Sequence, residues 1–454
     1  MQINLPKDVQ SILEKITSQG FHIYLVGGAV RDAIMGKIIE DWDFATSATP
    51  KEIQALFPES FYDNLFGTVG IPGTNKDHSK PHEITTFRTE VDYKDFRRPS
   101  HVSWGKTIEK DLERRDFTIN AIAIPFVKDK LDFDKIIDPF HGQKDIKAKT
   151  IKAVNDPFER FQEDALRMMR AIRFSAQLGF GIEEKTKQAI KENAILINKI
   201  AKERVRDELF KIIMSPSPIS AINIMRETEL LGHILPELEK TFGVDQVSPQ
   251  RHHIYDVGTH LLMSLKACES PDVITRFATL IHDIGKPQTY KKQANNVTTF
   301  YNHEIVSAKI AKRIAERLNL SKKQSEKLIR LVRYHQFTVD EHQTDSALRR
   351  FIRNVTPEYL DDMLELRRAD RLGSGSKETS WRTEDFKKRL VEVQKQPFTI
   401  RDLKITGFDV MKEKNIKPGP KIGLILKELY KEVVAKRLTN EKDALLARIN
   451  NSKT

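Results

Sequence analysis

Val26-Gly27-Gly28-Ala29-Val30-Arg31-Asp32, followed a little further on by Glu40-Asp41-Trp42-Asp43-Phe44, is the stretch on which the reading of this chain turns. Ile23 to Val26 is a short β-branched and aromatic run, so the order is a strand, a glycine pair and a helix start. Such a turn lets backbone N–H groups approach a phosphate with no Cβ in the way. Asp41 and Asp43 are separated by one residue, which in a strand puts both carboxylates on one face, close enough to share divalent cations. Mg²⁺ prefers oxygen ligands and shares them with water and phosphate, so this pair is the candidate holder of one or two ions against a nucleoside triphosphate. Taken alone, an Asp-x-Asp pair is more often a solvated strand end. The chain has no Walker A sequence, so P-loop chemistry is not supported.

Outward from this stretch, Ile84-Thr85-Thr86-Phe87 and Ile119 to Ile124 are further strand candidates of a small sheet. Thr74 to Pro81 reads as a hairpin connection, and Asp92 to Gly105 as a mobile connection too long and charged for a tight turn. From Asp156 onward a 3.6-residue periodicity dominates, interrupted at Ser215-Pro216-Ser217-Pro218, Pro236, Pro271, Gly373-Ser374-Gly375 and Pro418-Gly419-Pro420. The expected fold class is therefore α+β, a small N-terminal sheet domain followed by a mostly α-helical remainder. At 454 residues the length excludes a single small module. A hydrophobic content of 39% against 31% charged residues excludes a disordered or collagenous chain. No apolar run approaches the roughly 18 residues that span a bilayer. Met1 to Gln10 lacks the pattern of a signal peptide, so the expectation is a cytoplasmic protein with no membrane partner. Cys268 is the one cysteine, which leaves any metal to histidines and carboxylates. The net charge of +12 favours a polyanionic partner such as nucleic acid, a weak pointer by itself.

The glycine pair, the helix and Asp-x-Asp, in this order, resemble the nucleotidyltransferase superfamily of polymerase β. The longer string resembles its tRNA nucleotidyltransferase and bacterial poly(A) polymerase branch: Thr85-Thr86-Phe87-Arg88, Asp95-Phe96-Arg97-Arg98-Pro99, Asp111 to Ala121, Asp138-Pro139-Phe140 and Glu163-Asp164-Ala165-Leu166-Arg167 follow that family's blocks in sequence. The resemblance implies a polymerase β-like catalytic head at 1–150, a helical neck with a nucleotide-selecting helix and RNA-binding region at 151–245, an HD domain at 246–372 and a tRNA-binding helical tail at 373–454. It implies catalytic Mg²⁺ at Asp41 and Asp43, with Glu83 as a third carboxylate from a later strand. Gly28, Arg31, Arg115, Asp116 and Asn120 fall in the matching nucleotide-binding blocks, where an arginine such as Arg115 can hold triphosphate oxygens bidentately. His141 and Ala165 stand where family members commonly have Gly and Pro, and neither carries the chemistry.

The segment from about Phe158 to Gly179 reads as one helix. Phe161, Ala165, Met168, Met169, Ile172 and Ala176 form its core stripe, Asp164 flanks one edge, and Arg167, Arg170 and Arg173 line the opposite side. On an anonymous helix, Asp164 and Arg167 would be an ordinary i, i+3 ion pair. As a chemical unit, a carboxylate accepts and a guanidinium donates, which suits the amino donor and ring-nitrogen acceptor of both cytosine and adenine and leaves uracil and guanine mismatched. This resembles the second-class CCA-adding enzymes, which implies tRNA, CTP and ATP as partners. Asp92 to Gly105 resembles the flexible loop of full CCA-adding members, which disfavours CC-only addition. Gly407 to Asn440 resembles their tail, while A-only addition and a poly(A) polymerase stay open.

A second constellation lies in Leu280-Ile281-His282-Asp283-Ile284-Gly285-Lys286, with His260 before it and His303, His335 and Asp370 beyond. The spacing resembles the HD superfamily of metal-dependent phosphohydrolases. Its imidazole-rich donors suit Ni²⁺, Co²⁺, Mn²⁺ or Zn²⁺ and imply phosphatase or 2′,3′-cyclic phosphodiesterase chemistry. Two other hypotheses compete with nucleotide addition: an HD phosphohydrolase whose N-terminal fold only binds RNA, and a non-catalytic RNA-binding protein. Both require Asp41 and Asp43 to be dispensable.

Overall fold

A computed structural model describes residues 3–63, 67–73, 81–94, 98–105, 107–246, 254–293, 297–337, 339–340, 342–394, 400–435 and 437–451. The expected connection at Thr74 to Pro81 lies almost wholly outside these residues. The N-terminal part is a seven-stranded mixed sheet built from β1 (Ile23–Val26), β2 (Asp43–Thr46), β3 (Phe61–Asp63), β4 (Thr68–Ile71) and β5 (His82–Thr86). A separate hairpin, β6 (Arg88–Lys94) with β7 (Arg98–Trp104), interrupts it before β8 (Ala123–Val127) and β9 (Lys130–Leu131) complete it. The strand order is β3-β4-β5-β2-β1-β8-β9. β1 runs antiparallel to both β2 and β8, whereas β2 and β5 are parallel, with Asp43 beside Glu83. Two acidic residues distant in the chain thereby stand side by side at the same end of two central strands.

Two local expectations are corrected. Asp92 to Gly105 contributes to an antiparallel hairpin in which Arg88 pairs with Trp104 and Val91 with His101, because β-forming residues recur on both arms; 95–97 lie outside the described residues. The strand expected over Ile119 to Ile124 begins only at Ala123, since Thr118–Asn120 forms a 3₁₀ turn that folds Asn120 inward.

The remainder is helical. The helix Leu166–Leu178 ends where Gly179 adopts a left-handed φ of 70°, the usual stop signal. Its buried face joins the sheet core, and Phe174 meets Phe117 of the head edge-on with ring centroids 5.8 Å apart. One continuous apolar cluster therefore links the sheet to the helices behind it, so side chains from both can be held in register across a shared cleft. The helices from Val257–Ala267 to Leu360–Gly373 pack around a buried polar centre, and Trp381–Gln394 closes on them through Phe386 and Phe351. Beyond residue 400 a separate small core of Leu403, Val410, Leu429, Val433, Leu445 and Ile449 forms the C-terminal unit. Among the described residues no helix is long and apolar enough to cross a membrane.

Candidate functional site

The C-terminal end of β1 and the start of β2 open into a cleft of about 1020 Å³ shared by the sheet and the helix Leu166–Leu178. Gly27, not Gly28, is the constrained glycine: its φ is 69°, and a Cβ there would lie 3.0 Å from Arg115 Nη1 and 3.6 Å from Asp43 Oδ2. The turn thus needs glycine both for its backbone and for the groups crowding it. Asp43 opens β2, while Asp41 sits in the exposed bend before it; the expectation that both lie within the strand is corrected, because pairing with β1 starts only at Phe44. Asp41, Asp43 and Glu83 all line the cleft. Burial and then the Glu83 charge, with a smaller push from Asp41, lift the Asp43 carboxyl to about 6 against the opposing pull of Arg115 and Arg31. Three oxygen-only donors short of positive charge are the donor set Mg²⁺ prefers.

Cations stand behind the carboxylates. Arg31 Nη1 donates to Asn120 Oδ1 at 2.9 Å, and Arg31 also forks onto its neighbour Asp32. Arg115 Nη2 reaches the fully buried Asp111 at 3.2 Å. Asp116 accepts from Arg170 Nε at 2.7 Å, and although burial opposes it, the Arg170 and Arg167 charges hold its carboxyl below the usual range. Asp116 lines the cleft and its carboxylate holds the Arg170 guanidinium there. Arg173 Nε is bound to Glu208 at 2.6 Å and its guanidinium lies 4.1 Å from the Phe174 ring centre. Arg31, Arg115, Arg170 and Arg173 all face the same cleft, as a triphosphate would require.

The base-reading pair is arranged differently from the single helix expected. The chain leaves the helix Pro157–Glu163 at Asp164, whose φ of −141° and ψ of 104° are extended, and re-enters a helix at Leu166. Asp164 Oδ1 accepts the Leu166 N–H at 3.0 Å, which satisfies an otherwise unpaired donor of the new helix. The Arg167 N–H donates to the Asp164 carbonyl at 3.0 Å, while the two side chains turn to other partners. Arg204, from the helix Lys202–Ile213, donates to Asp164 Oδ2 at 2.8 Å, while Arg167 is held by Glu163 at 2.5 Å and by the Arg114 carbonyl at 3.1 Å. Asp164, Arg167 and Arg204 still line the cleft that holds the carboxylates. Sequence reasoning missed Arg204, for which no local signal exists, and the clamping role of Glu163, whose i, i+4 spacing to Arg167 was a usable one.

The second centre gathers His260, His282, Asp283, His303, His335 and Asp370 from five helical segments. His260 Nε2 lies 3.2 Å from both His282 Nε2 and Asp370 Oδ1, and His303 Nε2 lies 3.0 Å from Asp283 Oδ1. His335 Nε2 is 3.3 Å from the same oxygen. The Nδ1 atoms of His282, His303 and His335 each lie 2.8 Å from a backbone carbonyl, of Thr279, Phe300 and Val332 respectively. A carbonyl only accepts, so each Nδ1 carries its hydrogen and Nε2 is the atom each ring turns inward, the one a metal would take in place of a proton. Asp283 Oδ1, buried among them, accepts no hydrogen bond from the described residues. Burial disfavours a charged His282, yet Asp283 and Asp370 outweigh it and hold that ring up at about 10, while both carboxyls are pushed well below their usual range. Inward Nε2 atoms and two carboxylates held ionised form a cage that favours positive charge, supplied by protons on the imidazoles or by a divalent ion, whose ligand chemistry these donors fit. Lys286 Nζ, 2.5 Å from Asp283 Oδ2, supplies part of that charge.

A mixed sheet presenting clustered carboxylates beneath an arginine-lined cleft defines a nucleotidyltransferase. Three family descriptions match in chain order: the Poly A polymerase head domain over residues 23–152, the RNA and SrmB-binding site of polymerase A over 179–242, and tRNA nucleotidyltransferase domain 2 over 291–449. The chain belongs to the CCA-adding enzyme family. It is 33% identical to the CCA-adding enzyme of Lactococcus lactis subsp. cremoris over 97% of this chain and 95% of that one. Against the Levilactobacillus brevis CCA-adding enzyme it is 34% identical over 99% of each chain. Among solved structures, the Bacillus stearothermophilus CCA-adding enzyme in complex with CTP superposes with a TM-score of 0.69 at 27% identity, covering 98% of this chain and 96% of that one. The Thermotoga maritima CCA-adding enzyme with tRNA shares the fold, at a TM-score of 0.56 and 20% identity over 99% of this chain and 96% of that one. Nucleotidyltransferases of this family use a divalent cation, Mg²⁺.

Proposed function

We propose that this protein builds the 3′ end of tRNA, adding C, C and A from CTP and ATP without a nucleic-acid template. The observation that carries this reading is that Asp41, Asp43 and Glu83 face Asp164 and Arg167 across one cleft, so a single bound nucleotide reaches both. Asp41 and Asp43 would hold Mg²⁺, with Glu83 beside Asp43. When bound, the metal lowers the pKa of the primer 3′-hydroxyl and neutralises the departing pyrophosphate. Arg31, Arg115 and Arg170 hold the triphosphate so that the hydroxyl stands in line with the α-phosphorus. Asp164 accepts the exocyclic amino group common to cytosine and adenine, and Arg167 donates to the adjacent ring nitrogen. UTP and GTP leave these groups unpaired.

In this reading the head at 1–150 performs the chemistry and the neck at 151–245 selects the base. The HD body at 246–372 and the tail at 373–454 support the tRNA, in the cytoplasm. The test is incubation of tRNA lacking its last three nucleotides with each nucleotide separately and together. The expected result is two additions with CTP alone, a third on adding ATP, and none with UTP or GTP. ATP runs or A-only addition would replace the reading with a poly(A) polymerase or an A-adding enzyme.

The caged histidines favour a second activity in the same chain. His260, His282, Asp283, His303, His335 and Asp370 would hold Ni²⁺, Co²⁺, Mn²⁺ or Zn²⁺ and support phosphatase or 2′,3′-cyclic phosphodiesterase chemistry. Elemental analysis of the purified protein tests it; absence of bound metal and of hydrolysis with each ion leaves this part as a scaffold.

A further inference from the structure

The cleft in front of the His–Asp centre, about 570 Å³, is walled by the turn Phe300–His303 and the end of the helix Leu360–Gly373, and Lys286, Arg367 and Arg371 bring positive charge to it. Tyr301 lines this cleft while 71% exposed, although its neighbours Phe300 and His303 are buried. The turn carrying it is fixed on both sides. Phe300 packs edge-on against Tyr290 with centroids 5.8 Å apart, the His303 N–H donates to the Phe300 carbonyl at 3.2 Å, and Asn302 takes a φ of 60° that swings the chain into the next helix. A ring so exposed contributes little to folding, and single exposed aromatics are common enough to need no explanation. What sets Tyr301 apart is the company in its cleft. His303, two residues on, points Nε2 at Asp283. Arg371 donates through Nε to the Lys377 carbonyl at 3.2 Å, and its terminal nitrogens meet no protein acceptor among the described residues. An exposed π-face, a guanidinium with donors to spare and a caged His–Asp centre correspond to the base, the phosphate oxygens and the scissile P–O bond of a nucleotide phosphoester.

We propose that Tyr301 is the base-stacking platform of this cleft, so that the His–Asp centre takes phosphoesters that carry a nucleobase, with Arg371 on a phosphate oxygen. The proposal rests on the phosphohydrolase reading of that centre. In the reaction, water adds to phosphorus, one P–O ester bond breaks and the departing ribose oxygen takes a proton, so no co-reactant beyond water is consumed. Stacking acts on binding and not on bond breaking, and it needs the ring face and not the hydroxyl. The shared chemistry, a nucleoside 2′,3′-cyclic phosphate, comes either free or as the end of an RNA.

The experiment uses the full-length protein and its Tyr301→Ala and Tyr301→Phe variants. The substrates are adenosine 2′,3′-cyclic phosphate, a short RNA ending in a 2′,3′-cyclic phosphate, and base-free glycerol 1,2-cyclic phosphate. Tyr301→Ala is expected to lower kcat/KM on the nucleotide roughly tenfold, through KM. Tyr301→Phe should restore it, and turnover of the glycerol ester should be unchanged in both variants. The faster of the free and RNA-borne esters identifies the source. A second readout needs no metal and no turnover: photolabelling with 8-azidoadenosine 2′-monophosphate, mapped by peptide mass spectrometry, should mark the peptide carrying Tyr301 in the wild type and in Tyr301→Phe but not in Tyr301→Ala. Loss of hydrolysis with every metal while this labelling persists removes the phosphohydrolase reading and keeps the nucleotide platform. Unmarked wild-type peptide, marking that survives Tyr301→Ala, or an equal loss on the glycerol ester overturns the proposal.

Discussion

Asp43 carries a proton to higher pH in the folded protein than in the unfolded chain, because burial and the neighbouring Glu83 resist its ionisation and bring its carboxyl to about 6 from an ordinary 3.8. The folded state therefore binds more protons between those values, and metal-free stability falls as pH rises through that window. In EDTA at pH 8, Asp43→Asn is expected to raise stability by up to roughly 3 kcal/mol, read from the denaturant midpoint, while nucleotide addition is abolished. An unchanged midpoint would mean that the carboxylates do not crowd one another. With Asp43 intact, apparent Mg²⁺ affinity should weaken as pH drops below about 6, since the proton competes for the same oxygens. At the base-reading end, Asp164→Ala should admit UTP and GTP, since the acceptor for the amino group is lost. Arg204→Gln should produce the same misincorporation to a lesser degree, because Arg204 orients Asp164 through the 2.8 Å bond without itself being part of the pair proposed to read the base. Nearest-neighbour sequencing of the added nucleotides checks both variants; equal loss of activity with every nucleotide would point to folding instead.

The break between Pro157–Glu163 and Leu166–Leu178 is the element that makes Asp164 available, since in a continuous helix its side chain could not reach back to the Leu166 N–H. Ala165 follows an extended residue, has a φ of −63°, and its N–H makes no hydrogen bond among the described residues. Proline meets each of those conditions. Ala165→Pro is therefore expected to stabilise the protein by roughly 0.5–1 kcal/mol with nucleotide selection intact, as measured by thermal melting alongside CTP and ATP addition. His141 tells the converse story. It adopts a φ of 61° at the start of the helix Gly142–Lys147, where Asp138 accepts from the Gly142 and Gln143 N–H groups at 2.7 and 3.0 Å. The tight turn keeps a non-glycine residue in the left-handed region, so His141→Gly should leave stability equal or raise it by up to about 1 kcal/mol. A drop in the melting temperature would show that the His141 side chain does something the backbone does not require.

At the scale of the whole molecule the two polar centres occupy separate clefts lined by different residues. His282→Ala and Asp283→Ala are expected to remove metal binding and hydrolysis at the second centre while CTP and ATP addition continues at near wild-type rate on folded protein. Asp41→Ala should do the reverse, and near wild-type transfer in that variant would overturn the metal assignment. The net charge of +12 would add a sequence-independent contribution to the proposed tRNA binding. Affinity should therefore fall linearly with the logarithm of salt concentration, with a similar slope for wild type and Asp43→Asn, since phosphate contacts elsewhere supply the affinity.

Features that depend on short covalent spacing are already set in the chain: the strand, glycine pair and helix start, Asp41 and Asp43 one residue apart, the His282-Asp283 run, and the core stripe from Phe161 to Ala176. Periodicity and turn chemistry act within a few residues, so they are legible without the fold. The start of a new helix at Leu166 was not, because in one sequence a stripe of the right period hides a change of axis. Tertiary packing is what sets Glu83 beside Asp43, through the parallel register of β2 and β5. It alone brought Arg204 to Asp164 and set Asp370 within 3.5 Å of both His260 and His282. Those partners are distant in the chain and meet because apolar faces elsewhere pack to one solution, a free energy spread over the whole core and carried by no local pattern.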